Sequence, residues 1–71
     1  MKLIETIITE EHVEITLADE DDLDEATEWL TFGIEMPEES LEKGSVAAVQ
    51  VEALRRAQDI IAKEIRRLSG H

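Results

Sequence analysis

The sequence predicts an α+β fold: a three-stranded antiparallel sheet, a βββ meander, packed on one long C-terminal α-helix. Three observations predict it. Apolar residues alternate with polar ones in three stretches before Pro37, the pattern of half-buried strands. Residues 46–68 contain no Gly or Pro and repeat apolar side chains at helical spacing. The charge divides at the same boundary. Residues 1–45 carry 15 acids against Lys2 and Lys43, and residues 46–71 carry five basic side chains against three acids, within a total of −11. A chain of 71 residues makes one domain, with the sheet in 1–36, a connector in 37–45 and the helix in 46–68. Sequential strands usually neighbour one another, which favours the meander.

The first strand is read in Leu3–Thr9, rich in β-branched residues, with Ile4, Thr6 and Ile8 facing inward and Leu3, Glu5 and Ile7 outward. Glu10, Glu11 and His12 form a short polar connection of hairpin length, without an Asn-Gly or Asp-Gly signal. Val13, Ile15 and Leu17 alternate with Glu14 and Thr16 in the second strand. Residues 19–25 set six acids around Leu23 and read as a loop or a single turn, with Asp19 or Asp22 available as a cap. In Glu28–Met36, Leu30, Phe32, Ile34 and Met36 share one face, and Trp29, Thr31, Gly33 and Glu35 the other. Pro37 ends this strand because it has no N–H for the ladder. The connector opens with Pro37 and closes with Gly44, suiting a short helical turn. Ser45 is a good N-cap. Arg66 and Arg67 stand in the last helical turn, where cations complement the helix dipole, and Ser69-Gly70 stops the helix.

The helix is too long and too apolar for this sheet alone. Twenty-three residues run about 34 Å, against about 20–23 Å for strands of six or seven residues. Its apolar arc covers about 220°, well beyond the ~100° stripe that one sheet needs. Leu54, Ile61, Ile65 and Leu68 are expected to cover the sheet. The flank with Val49, Ala53 and Ile60 is then left for another surface, and small Ala53 and Ala57 suit close helix–helix contact. A homodimer through the C-terminal helix is the expectation. The competing arrangement folds the connector back so that Leu41 covers that flank.

Most chemistry is excluded or left without support. The chain has no Cys, so disulfides and thiolate zinc sites are excluded. His12 and His71 are far apart in sequence, so no metal or cofactor is expected. The acidic run fails the calcium-loop pattern, because Leu23 and Asp24 fall where an acid and a Gly are needed. No catalytic residue is assigned: His12 lacks a nucleophile and an orienting partner, and Ser40, Ser45 and Ser69 read as turn or cap residues. No stretch approaches a membrane span, the N-terminus lacks a signal-peptide pattern, and a cytoplasmic location is expected. Arg55-Arg56 and Arg66-Arg67 face the same way, but a chain of −11 without interleaved aromatics is not expected to bind nucleic acid directly.

Two functions fit. The first is a non-enzymatic protein-interaction module, a homodimer acting as an adaptor, assembly factor or regulatory subunit, with Trp29, Val49, Ala53 and Ile60 as interface residues. Trp29, the one large aromatic on the outer sheet face, is a residue type enriched in interface hot spots. The alternative is a nucleic-acid mimic, such as a phage-type inhibitor. Its acidic surface at Asp19, Glu20, Asp21, Asp22, Asp24 and Glu25, extended by Glu10, Glu11, Glu14, Glu28 and Glu35, would occupy the groove of a basic protein partner.

Overall fold

The computed structural model describes residues 1–37, 39, 41 and 44–70. Strands β1 (Lys2–Ile8), β2 (His12–Ala18) and β3 (Trp29–Glu35) form an antiparallel sheet in the order β1-β2-β3, and the C-terminal helix α1 (Val46–Ser69) packs on its inner face. The predicted meander is therefore present, with strand bounds within two residues of those read from the sequence. The connector reading is only partly covered: residues 38, 40, 42 and 43, with the cap role of Ser40, lie outside the described residues, as does His71. Within it, the Leu41 N–H donates to the Pro37 carbonyl at 3.4 Å, and Leu41 packs against the core.

The first hairpin turns without an Asn-Gly pair because Thr9 supplies the turn chemistry. The Thr9 N–H and hydroxyl both donate to the His12 carbonyl, at 3.0 and 3.2 Å, and the His12 N–H donates back to Thr9 Oγ1 at 3.3 Å. The register pairs Ile8 with Val13 and Thr6 with Ile15, so Thr6 and Ile8 lie on the inner face as expected. Leu3 does not follow the alternation. A bulge between Leu3 and Glu5 sets Leu3 opposite Leu17 on the inner face and Glu5 opposite Thr16 on the outer face. One extra residue in a strand reverses the faces beyond it.

Val13, Leu17, Leu30, Phe32 and Ile34 follow the predicted inward alternation, through the pairs Val13–Ile34, Ile15–Phe32 and Leu17–Leu30. The core comprises Val13, Ile15, Ile34 and Met36 from the sheet side and Val49, Ala53 and Ala57 from the helix. Ile15 and Val13 are the largest side chains wholly removed from water.

Of the helix residues expected to cover the sheet, Leu54 packs against the core, but the buried stripe is a different one. Val49, Ala53 and Ala57, four residues apart, meet the sheet, and Ala53 is completely buried. Ile61, Ile65 and Leu68, expected to cover the sheet, are exposed. The reason is size: a stripe of Val and Ala lets the helix axis approach the sheet closely enough for β2 and β3 to close over it, whereas a Leu/Ile stripe would hold it away. Helix ends form as read. Ser45 Oγ accepts the Ala48 N–H at 3.1 Å, and the Gly70 N–H donates to the Arg66 carbonyl at 2.8 Å.

The helix also crosses the sheet instead of lying along it. Gln50 Nε2 donates to Thr6 Oγ1 in β1 at 3.0 Å, and Arg56 Nη1 donates to the Glu35 carbonyl in β3 at 3.1 Å. Thr6 is in register with Ile15 and Phe32, so Glu35 lies two strands across and three residues along from it, and the helix runs obliquely over the sheet. Beyond Ala57 no helix residue is buried; Ile60 and Ile61 still border β3, and the helix continues to Ser69, twelve residues or about 18 Å in all. The molecule measures 40 × 34 × 15 Å, with a radius of gyration of 13.6 Å; a compact chain of this length has about 11 Å.

Candidate functional site

The expected interface residues separate into two groups. Val49 and Ala53 are 3 % and 0 % exposed in the chain's own core, which corrects the expectation that their flank is left for another surface. Trp29 and Ile60 are each 59 % exposed. Trp29 pairs with Ala18 on the outer sheet face, and Ile60 lies beside Gly33, Ile34 and Glu35 where the helix leaves the sheet. The two therefore stand on different faces of β3.

The unfilled surface lies on the other flank of the helix. An open groove of about 420 Å³ runs between helix and sheet, with Leu17, Leu30 and Phe32 as its floor and Val51, Leu54 and Ile61 along its wall. It continues onto the overhanging arm, where Ile60, Ile61, Ile65 and Leu68 are all exposed. Soluble monomers rarely leave a contiguous apolar surface of this extent without a use for it.

A signal for this flank is present in the sequence and was missed by the arc argument. Ala47, Val51, Leu54, Gln58, Ile61, Ile65 and Leu68 follow alternating spacings of four and three, the seam of a coiled coil. The seam runs about 110° round the helix from the sheet-facing stripe. A 220° arc is therefore two separate stripes, one for the sheet and one for something else.

The edge of β3 is also open. The Met36 N–H donates to the Glu11 carbonyl, and the Glu28 carbonyl accepts from the Asp19 N–H, so even-numbered residues point their backbone groups at β2. Hydrogen-bonding direction alternates along a strand. Trp29, Thr31, Gly33 and Glu35 therefore aim theirs at the free edge, where Arg56 takes the Glu35 carbonyl.

The acids expected to form a surface do so at the opposite end of β2 from the hairpin. Glu20, Asp21, Asp22, Asp24 and Glu25 are exposed, and Asp19 is half-buried. Asp19 closes the neck of this loop: its carboxylate accepts the Thr27 N–H at 3.1 Å and the Thr27 hydroxyl at 2.6 Å. The hydroxyl, foremost, holds its pKa below the ordinary Asp value, against an opposing desolvation. Asp22 Oδ1 accepts the Asp24 N–H at 3.0 Å in a local turn, and Lys2 pairs with Asp21 at 3.2 Å. The remaining expected acids are dispersed. Glu10 and Glu11 lie at the hairpin, Glu14 and Glu35 on the outer face, and Glu28 at the loop's exit. Among the described residues no three acids or histidines stand together as a metal site.

His12 Nδ1 lies 2.9 Å from Thr9 Oγ1, and its Nε2 3.8 Å from Glu14, an arrangement that serves the hairpin. On the arm, Glu64 binds Arg67 of its own helix. This pair lowers the Glu64 pKa and raises that of Arg67. Among the described residues no helix is long and apolar enough to cross a membrane.

Compared with protein-family models, curated proteins and solved structures, the chain matches none of them. The functional reading therefore rests on this surface.

Proposed function

We propose that the chain is a non-enzymatic protein-interaction module that works as a homodimer, in the manner of an adaptor, assembly factor or small regulatory subunit. One observation carries the reading: the exposed apolar surface that begins in the groove over Leu17, Leu30 and Phe32 and runs without a break along Ile61, Ile65 and Leu68. A second copy is the occupant it suits. The surface holds both a groove and a projecting apolar arm, and the arm, with Lys63, Arg66 and Arg67 against Asp59 and Glu64, is net positive where the half of the chain that a second copy offers is acidic.

Light scattering at micromolar concentration and two salt levels tests this. A dimeric mass at both is the expected result, and Ile61→Arg is expected to reduce it to the monomer. A monomeric wild-type chain overturns the reading.

The tied acidic loop supports the second reading, a mimic that engages the groove of a basic nucleic-acid-binding protein. Charge reversal of Asp21, Asp22 and Asp24 to Lys is then expected to abolish binding of such a partner, and wild-type binding is expected to fall steeply with salt. A triple variant that binds unchanged excludes it.

A further inference from the structure

We propose that two copies of the chain join antiparallel along the free edge of β3 into one six-stranded sheet, with their helices antiparallel across its inner face. The arm of each helix then seats in the groove of the other copy. This rests on the homodimer reading above and supplies its geometry.

The two edges of the sheet differ in a way that selects β3. Edge strand β1 carries a bulge and Lys2, devices that discourage further pairing. Edge strand β3, WLTFGIE, has no bulge in its register with β2 and no Lys or Pro. Its outward N–H and C=O groups at Trp29, Thr31 and Gly33 stand ready for another strand. The helix leaves the sheet over this same edge.

Two independent estimates of the symmetry axis agree. In the seam, antiparallel pairing centred between residues 59 and 60 sets Val51 against the partner's Leu68, Leu54 against the partner's Ile65, and Gln58 against the partner's Ile61. In the sheet, β3 lies beneath Arg56 and Ala57, and a paired strand would lie about 4.8 Å further on. The midpoint falls beneath residue 58, about 2 Å from the seam's centre. Along the strand direction, the helix passes over Ile34. Half of a helix–helix spacing toward the groove, about 4–5 Å, falls between Gly33 and Phe32. The same axis thus serves both contacts. The two Gln58–Ile61 layers then lie side by side on either side of the axis, about 4.5 Å apart.

The arrangement fills what one copy leaves open. Ile60, Ile61 and Leu68 of the arm come down on the partner's Leu17, Leu30 and Phe32. The seam turns toward the partner's helix, so the opposite side of the arm, with Lys63 and Arg67, faces the partner's acidic loop. The charge division between the two parts of the sequence then becomes attraction between copies.

Because the chain has no Cys, introduced thiols report the geometry cleanly. Val51→Cys/Leu68→Cys treated with a short bismaleimide is expected to give a covalent dimer. Leu68→Cys alone is expected to give none, since the two sites would stand about 25 Å apart. Cross-linking of Leu68→Cys alone, or none in the double variant, overturns the arrangement. Gly33→Pro removes an N–H that a single copy does not use, and an added Cβ at Gly33 meets only Glu14 Cγ, at 4.0 Å. It is expected to halve the mass while keeping the strand signal in circular dichroism. A Gly33→Pro chain that stays dimeric overturns the arrangement but leaves the homodimer reading standing. A monomeric wild-type chain overturns both.

Discussion

The first twelve residues of α1 and the last twelve are both amphipathic and have opposite fates. In Val46–Ala57, Val49, Ala53 and Ala57 are buried under the sheet, and Gln50 and Arg56 bond to β1 and β3. From Gln58 to Ser69 every residue is exposed, including Ile60, Ile61, Ile65 and Leu68. Local propensity does not separate them; both halves are good helix. What separates them is the width of the sheet: three strands offer about 10 Å across the helix, and α1 is about 36 Å long. Amphipathicity therefore serves two purposes in one element. It anchors the fold in the first half, and in the second it prepares a surface that the fold itself does not use.

The strongest way to break this contrast is to cut into the seated side. Ile15→Ala leaves a cavity beneath Ala53 at a position that is fully buried, and should cost about 2–5 kcal/mol. Total stability in small domains is often only about 5–15 kcal/mol. Urea unfolding should show a large fall in midpoint. Leu68→Ala removes a similar volume from the arm, and its effect on unfolding should depend on protein concentration, because the contact it loses is with a second copy.

Ala53→Leu tests the size argument for the helix's orientation. Ala53 is wholly enclosed, so added methylenes must push the helix from the sheet, at about 1–3 kcal/mol. The same change at exposed Ala62 should alter urea stability by less than ~0.5 kcal/mol. Equal effects at the two sites would mean that the small-residue stripe does not set the helix's approach.

Ser45→Ala comes next, at about 1 kcal/mol. The Ser45 hydroxyl caps the anchored end, so its loss should appear in the unfolding midpoint. Ser69→Ala, at the free end, removes only a bond to the Ile65 carbonyl and should leave the midpoint unchanged.

The sequence makes the fold legible because period-two and helical patterns are both strong and meet at one boundary. The Ser45 cap, the Gly70 stop and the inner faces of β2 and β3 follow from local chemistry alone. Two features did not. The bulge that turns Leu3 inward leaves no mark in β1, whose residues are apolar on both faces. The buried stripe of the helix was assigned to the wrong flank because large residues were weighted over small ones. Val49, Ala53 and Ala57 pack by being small, and a ranking by hydrophobicity hides that. The exposed seam was within reach, since its four-three spacing is written in the sequence, but a single wide arc masks two stripes. The bonds of Asp19 to Thr27, eight residues away, depend on how the loop closes and could not be read from either residue alone.

The smallest effect lies farthest from the core, at the neck of the acidic loop. The Thr27 hydroxyl and N–H stabilise the charged form of Asp19 and lower its pKa. A carboxyl with a depressed folded-state pKa contributes its stabilisation above its unfolded value, ordinarily 3.8, and loses it as pH falls through the lower folded value. The neck should therefore hold at neutral pH and open below about pH 4. The group is solvent-accessible, so the effect should be confined to residues 19–28 and leave global unfolding unaltered. The amide resonance of Thr27, bonded to the Asp19 carboxylate, followed from pH 7 to pH 2.5 should report the Asp19 transition below the ordinary Asp value. Thr27→Val removes the hydroxyl and should bring the Asp19 transition back toward the ordinary range. If the transition stays where it was, the hydroxyl is not what holds the charge. The bonds that Asp19 and Asp22 accept from the Thr27 and Asp24 N–H groups would then be what shapes the loop that the proposed dimer turns toward Lys63 and Arg67.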